Sequence, residues 1–156
     1  MENEAKIEVA KHSIHNVLAH SYAMHFMLFL IGVALDFIFR IKIFTHGVFV
    51  SSGVILLILG SILISWAQRT SHKLKKENIS KETFCHGPYC FTRTPTNFGI
   101  FFLMLGFGLI ANAFFVILSS IISFIVAKFF FLNKEEELLA LKYGKPYLEY
   151  KKSVKF

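Results

Sequence analysis

Charge is scarce in this chain: Asp, Glu, Lys and Arg make up 17% of its 156 residues, against about a quarter in soluble globular domains. Only two cysteines are present, Cys85 and Cys90, too few for a disulfide framework. Three prolines and nine glycines exclude a collagen-like repeat, and no internal repeat or low-complexity linker interrupts the chain. No cleavable signal is expected, because residues 1–20 are polar and no small-residue cleavage site follows the first apolar run. What the chain has instead is hydrocarbon. Hydrophobic residues reach 54%, including 19 Phe, and mean hydropathy is +0.56. That composition excludes a disordered chain and an ordinary water-soluble domain. It is the composition of a membrane protein.

A bilayer core about 30 Å thick needs roughly 20 helical residues. The first candidate is Ala23 to Phe39, broken only by His25 and Asp36, and the second, Val48 to Trp66, carries no charge. A polar stretch, Gln68 to Thr94, follows. Phe98 to Ala127 then runs 30 residues without a formal charge. One rod of that length would measure about 45 Å, too long without severe tilt. A break is therefore expected at Asn112, the only amide in the run. The expected fold is all-α: a multi-pass bundle of four transmembrane helices, the last two a tight hairpin, with a helical tail. Residues 1–67 hold an N-terminal helix and the first two spans, 68–96 a loop, and 97–156 the hairpin and tail, all in one membrane domain. The tail should continue the fourth helix from Glu135, stop at Gly144 as a C-cap, and restart as a short helix at Pro146.

The formal net charge is +7. Of the 17 Lys and Arg, 15 lie in the N-terminus, the 68–94 loop or the C-terminal region, and only Arg40 and Lys42 lie in the first connection. This bias puts both termini and the long loop on the cytoplasmic side of the cell membrane. Because the charges flank apolar runs, the expected partner is a lipid bilayer with an anionic surface, not nucleic acid.

The antiparallel hairpin would bring the start of the third span and the end of the fourth to one membrane face. Thr94 suits an N-cap and Pro95 the first helical position. Such a helix start favours anions, and Arg93 stands beside it. Across the gap lie Glu135, Glu136 and Glu137. An anion site facing acidic groups suits a zwitterion such as the amino-acid end of S-adenosylmethionine, and Gly99 and Gly106 would admit a neighbouring helix or a flat ring. Lipid phosphate at Arg93 and solvated glutamates are the plainer alternative.

The segment Gly87-Pro88-Tyr89, followed by Arg93-Thr94-Pro95-Thr96-Asn97-Phe98-Gly99, resembles the Gly-Pro-Tyr and Arg-His-Pro-x-Tyr-x-Gly elements of the isoprenylcysteine carboxyl methyltransferase and phospholipid methyltransferase superfamily. Glu135-Glu136, Leu139, Tyr143-Gly144, Tyr147 and Tyr150 are similar to that superfamily's C-terminal motif. The likeness covers about residues 84–156. It implies an integral-membrane methyltransferase that binds S-adenosylmethionine between the two motifs and takes a lipophilic or small acceptor: a prenylcysteine carboxylate, a phospholipid amine or a thiol. Carried over by position, Gly87, Pro88, Tyr89, Arg93, Thr94, Pro95, Gly99, Glu135 and Glu136 belong to the cofactor site, with Arg93 and Asn97 at the reacting groups. Thr94 stands where the motif has His, and Asn97 where it has Tyr. Both can still hydrogen-bond a cofactor, but a His-based acid–base role is lost. Methyl transfer from a sulfonium asks mainly for positioning and water exclusion.

Other residues invite rival readings. Cys85 and Cys90 are separated by four residues rather than the two of a thioredoxin-like pair, so a thiol oxidase is disfavoured. His12, His15, His20 and His25 fall on only partly overlapping helix faces, and no metal site is expected. Asp36 could serve a four-span proton-coupled transporter, but Arg40 lies four residues on, so a structural ion pair is favoured. A membrane reductase of the sterol type, using NADPH, resembles the same C-terminal motifs.

Overall fold

The computed structural model describes residues 2–43, 48–73 and 85–154, with side chains from residue 13 onward in the first helix. Every regular element among them is helical. Helix α1 (Glu2–Phe39) is continuous. It absorbs the N-terminal segment expected to lie as a separate helix, because no Gly or Pro occurs before Gly32 to interrupt it. Arg40, in the left-handed region at φ 50°, ends it by bonding its N–H to the Asp36 carbonyl at 2.8 Å. Helix α2 (Val48–Lys73) follows. Part of the basic loop, including Lys75, Lys76 and Lys81, lies outside the described residues, as do the His12 side chain and His46.

Helices α3 (Pro95–Ala111) and α4 (Phe114–Val126) form the expected hairpin. Asn112 adopts φ 51°, ψ 47°, a left-handed conformation that Asn tolerates better than most side chains. The Ala113 N–H bonds the Gly108 carbonyl at 2.9 Å. The Asn112 Oδ1 accepts the Ile43 N–H at 3.0 Å, tying the turn to the first connection. Beyond α4, one π turn (Ala127–Phe131) leads into α5 (Leu132–Tyr143). Gly144, at φ 64°, breaks the rod, and Pro146 sits in the first turn of α6 (Lys145–Ser153).

Among the described residues, three helices are long and apolar enough to cross a membrane: Ser13–Phe39, Phe49–Ser71 and Phe114–Tyr143. Helix α3 is apolar but shorter, at 17 residues. The packing is inverted relative to a soluble protein. Phe37, Ile38, Phe129 and Phe130 are more than half exposed, while Ser120, Ser123, Val116 and Ala127 are buried. Small residues draw the helices together. Gly53 and Gly60 on α2 meet Gly106 and Gly99 on α3 in antiparallel order. A Cβ at Gly53 would stand 2.7 Å from the Gly106 carbonyl oxygen, and one at Gly60 2.8 Å from that of Gly99. On the other side, a Cβ at Gly32 of α1 would stand 2.6 Å from Ser119 Oγ of α4. The buried α4 serines keep their hydroxyls satisfied by bonding carbonyls three residues back, Ser120 to Ile117 at 2.7 Å and Ser123 to Ser120 at 3.0 Å.

Asp36 does not pair with Arg40. Its two carboxylate oxygens instead accept the N–H groups of Phe115 at 3.1 Å and Val116 at 2.9 Å, the orphan donors of the α4 first turn. Hydrocarbon offers those amides no other acceptor, and a helix N-terminus attracts a negative charge. The Arg40 guanidinium lies over the Phe37 ring, 5.7 Å from its centroid.

Candidate functional site

The α4–α5 rod runs back along α3, so the start of α3 and the first turns of α5 share one end of the bundle. The end of α2, the Gly87–Cys90 3-10 turn and α6 join them there. Gly87 opens that turn at φ 58°, with Thr70 Oγ1 and Trp66 Nε1 of α2 so near that a Cβ would stand 2.7 and 2.9 Å from them. Only glycine fits both the angle and the space. Pro88 and Pro95 are buried. Thr94 occupies the N-cap position of α3 but makes no side-chain cap bond.

Arg93 and Glu136 were expected on opposite walls of a gap. They meet directly: Arg93 Nη1 lies 2.5 Å from Glu136 Oε1, and Lys151 Nζ of α6 lies 2.6 Å from Oε2. Glu136 is 4% exposed, so this is a carboxylate held between two cations with little water. It ties α3, α5 and α6 together. Lys151 was not singled out in the sequence, where it reads as one of several solvated tail lysines.

The tail also closes on the 3-10 turn. The Tyr150 hydroxyl donates to the Tyr89 carbonyl at 2.7 Å. Tyr147, Tyr150 and Val154 are buried together, with Tyr89, Leu139, Ala140 and Tyr143 around them. Burial first, and the negative charges of Glu136 and Glu135 after it, push the Tyr147 phenol well above its ordinary range. Burial likewise raises Tyr150, helped by Tyr89. Both phenols are neutral donors at physiological pH.

Glu135 faces a different company from Glu136. Its charge acts on Tyr22 of α1 and on Tyr89, and Thr96 lies within hydrogen-bonding reach of both tyrosines. Ser71 of α2 is likewise in reach of Tyr89. Burial first, then Glu135, raises the Tyr89 phenol. Tyr22, Thr96 and Ser71 were missed by the sequence reading. Only the stripe Tyr22–His25–Phe29–Gly32–Asp36, at helical spacing along α1, could have flagged Tyr22. His25 and Ser21 on the same helix are buried, and His25 Nδ1 bonds the Ser21 carbonyl at 2.7 Å.

A cleft of about 90 Å³ opens between the start of α3 and the π turn. Arg93, Thr94 and Asn97 line one part, Phe98, Phe124, Ala127 and Leu132 the rest, and Lys128 its edge. That places both departures from the family motif, Thr94 and Asn97, on one wall. Gly99 stands away from these groups, on the α2-facing side of α3 against Gly60. Among the described residues no group of three or more His, Cys, Asp or Glu could hold a metal ion.

The architecture is that of a membrane helical bundle. Residues 48–146 match the phospholipid methyltransferase family, and the chain belongs to that family. Comparison with curated proteins and with solved structures finds no match.

Proposed function

We propose that this protein transfers a methyl group from S-adenosylmethionine to a lipophilic acceptor at one face of a membrane. The observation that carries the reading is the position of Glu135. It is a half-buried carboxylate beside Tyr22 and Tyr89, and it makes no ion pair or hydrogen bond among the described residues. Its neighbour Glu136 is ion-paired with both Arg93 and Lys151. A carboxylate flanked by two phenols is a donor–acceptor set that fits an ammonium and ribose hydroxyls. When bound, the cofactor supplies an electrophilic methyl group on a sulfonium.

Each residue then has a distinct task. Glu136, itself paired with Lys151, holds Arg93 in place, and Arg93, with five N–H donors, has the chemistry to receive the cofactor carboxylate near the α3 first turn. Glu135 receives the ammonium. Gly87, Pro88 and Tyr89 shape the adjoining wall, and Pro95 fixes the start of α3. Gly99 contributes by letting α2 approach. The cleft at Thr94 and Asn97 is well below the ~300 Å³ of a small-molecule pocket, so it suits the reactive tip of an acceptor whose tail lies along Phe98 and Phe124. Asn97 orients that tip by hydrogen bonding, and the apolar residues exclude water.

In this reading α3 crosses the membrane as a fourth span, its ~26 Å completed by the flanking turns. The basic end of the bundle, with both termini, faces the cytoplasm. Calorimetric titration of the detergent-purified protein with S-adenosylhomocysteine tests the proposal. Micromolar binding is expected. Folded protein that binds NADPH and ignores S-adenosylhomocysteine overturns it.

A further inference from the structure

Cys85 and Cys90 bracket the 3-10 turn that carries Gly87, Pro88 and Tyr89. Their sulfurs are in direct contact. Cys85 is exposed, Cys90 partly so, and both are free thiols. Neither takes part in the methyl-transfer reading. The turn between them is the piece on which the tail closes, through Tyr150 on the Tyr89 carbonyl.

We propose that Cys85 and Cys90 form a reversible disulfide, with a hydroperoxide as oxidant, that fastens the Gly87–Cys90 turn and thereby the α6 clasp. A hydroperoxide oxidises the Cys85 thiol to a sulfenic acid, leaving as the alcohol, or as water from hydrogen peroxide. The Cys90 sulfur attacks the Cys85 sulfur, forming the S–S bond, and the hydroxyl leaves with the Cys90 proton as water. In sum, two thiols and one peroxide give one disulfide and two hydroxylic products. Burial, then the neighbouring Cys85, push the Cys90 thiol up to about 11. Exposed Cys85 is therefore the sulfur that meets the oxidant first. A cytosolic disulfide of this kind is transient and redox-sensing rather than structural. Because the thiols already touch while Tyr150 holds Tyr89, bonding preserves the closed arrangement and opposes its opening.

The test uses the full chain in detergent micelles with hydrogen peroxide as the probe. Maleimide labelling is expected to fall from two thiols to none, with an intact mass lower by two hydrogens, and dithiothreitol should reverse both. Trypsin should cut after the exposed tail lysines Lys151 and Lys152 roughly threefold or more slowly in the oxidised protein. The double variant Cys85→Ser/Cys90→Ser, under the same peroxide, should show no slowing. Folded oxidised protein that still takes two labels overturns the proposal. So does an unchanged tail-cleavage rate, or the same slowing in the double variant. None of these readouts depends on S-adenosylhomocysteine binding, so this inference and the methyltransferase reading fail separately.

Discussion

Arg93, just ahead of α3, and Glu136, in α5, are distant in sequence and 2.5 Å apart in space, with Glu136 almost wholly removed from solvent. Removing one partner of such a pair strands the other, which costs about 3 kcal/mol or more. Glu136→Gln should therefore lower the thermal unfolding midpoint markedly. Glu135→Gln should leave that midpoint nearly unchanged and weaken S-adenosylhomocysteine binding about tenfold, or ~1.4 kcal/mol. If Glu135→Gln binds like the parent protein, Glu135 is not the ammonium partner.

Asp36 caps α4 from another helix. Asp36→Ala leaves two amides without their acceptor, and a lost cap costs about 1–2 kcal/mol. Thermal unfolding in micelles should show that loss, while Arg40→Ala, which removes no ion pair to Asp36, should cost much less. Equal losses for the two variants would mean that Arg40 supports the carboxylate after all.

The glycine pairs between α2 and α3 leave no room for a methyl group against backbone. Gly106→Ala would put a Cβ 2.7 Å from the Gly53 carbonyl oxygen, which cannot rotate away. The helices must separate, at about 1–3 kcal/mol. Gly144→Ala meets no atom within 4 Å but is strained at φ 64°, so it should loosen the α5–α6 junction without touching the spans. Hydrogen exchange resolves the two: Gly106→Ala raises it in α2 and α3, Gly144→Ala only near the tail.

Tyr150→Phe removes the hydroxyl that bonds the Tyr89 carbonyl. A single such bond is worth about 1 kcal/mol. Tail amides in residues 145–153 should exchange faster, with the bundle interior unchanged. Unchanged tail exchange would show that the Tyr147–Tyr150–Val154 cluster alone holds α6.

Local signals were the legible ones. Asn112 marked the hairpin because an amide is conspicuous in an apolar run, and Gly144 followed by Pro146 marked the tail break. The motif residues Arg93, Tyr89 and Glu136 converge at one end of the bundle. What escaped was long-range choice among equivalent partners. Asp36 had Arg40 at helical spacing, yet two amides of a distant helix took it, because those amides have no water to turn to. Glu136 reads the same as Glu135 in sequence. Only the approach of α3 and α6 separates the engaged carboxylate from its neighbour. The single long α1 was obscured by a change from polar to apolar composition, which alters what surrounds a helix and not whether it continues.

The π turn at Ala127–Phe131 has a consequence for how this protein could change over time. It holds one more residue than an α turn would, so α5 is rotated about 100° from the angle that α4 alone would dictate. Deleting one residue there would leave the lipid-facing pattern of α4 intact while swinging Glu135 and Glu136 away from Arg93, Tyr22 and Tyr89. The lipid-facing pattern and the placement of these two carboxylates are thus indexed separately along one rod, and a lone insertion or deletion at this joint would shift the second without disturbing the first.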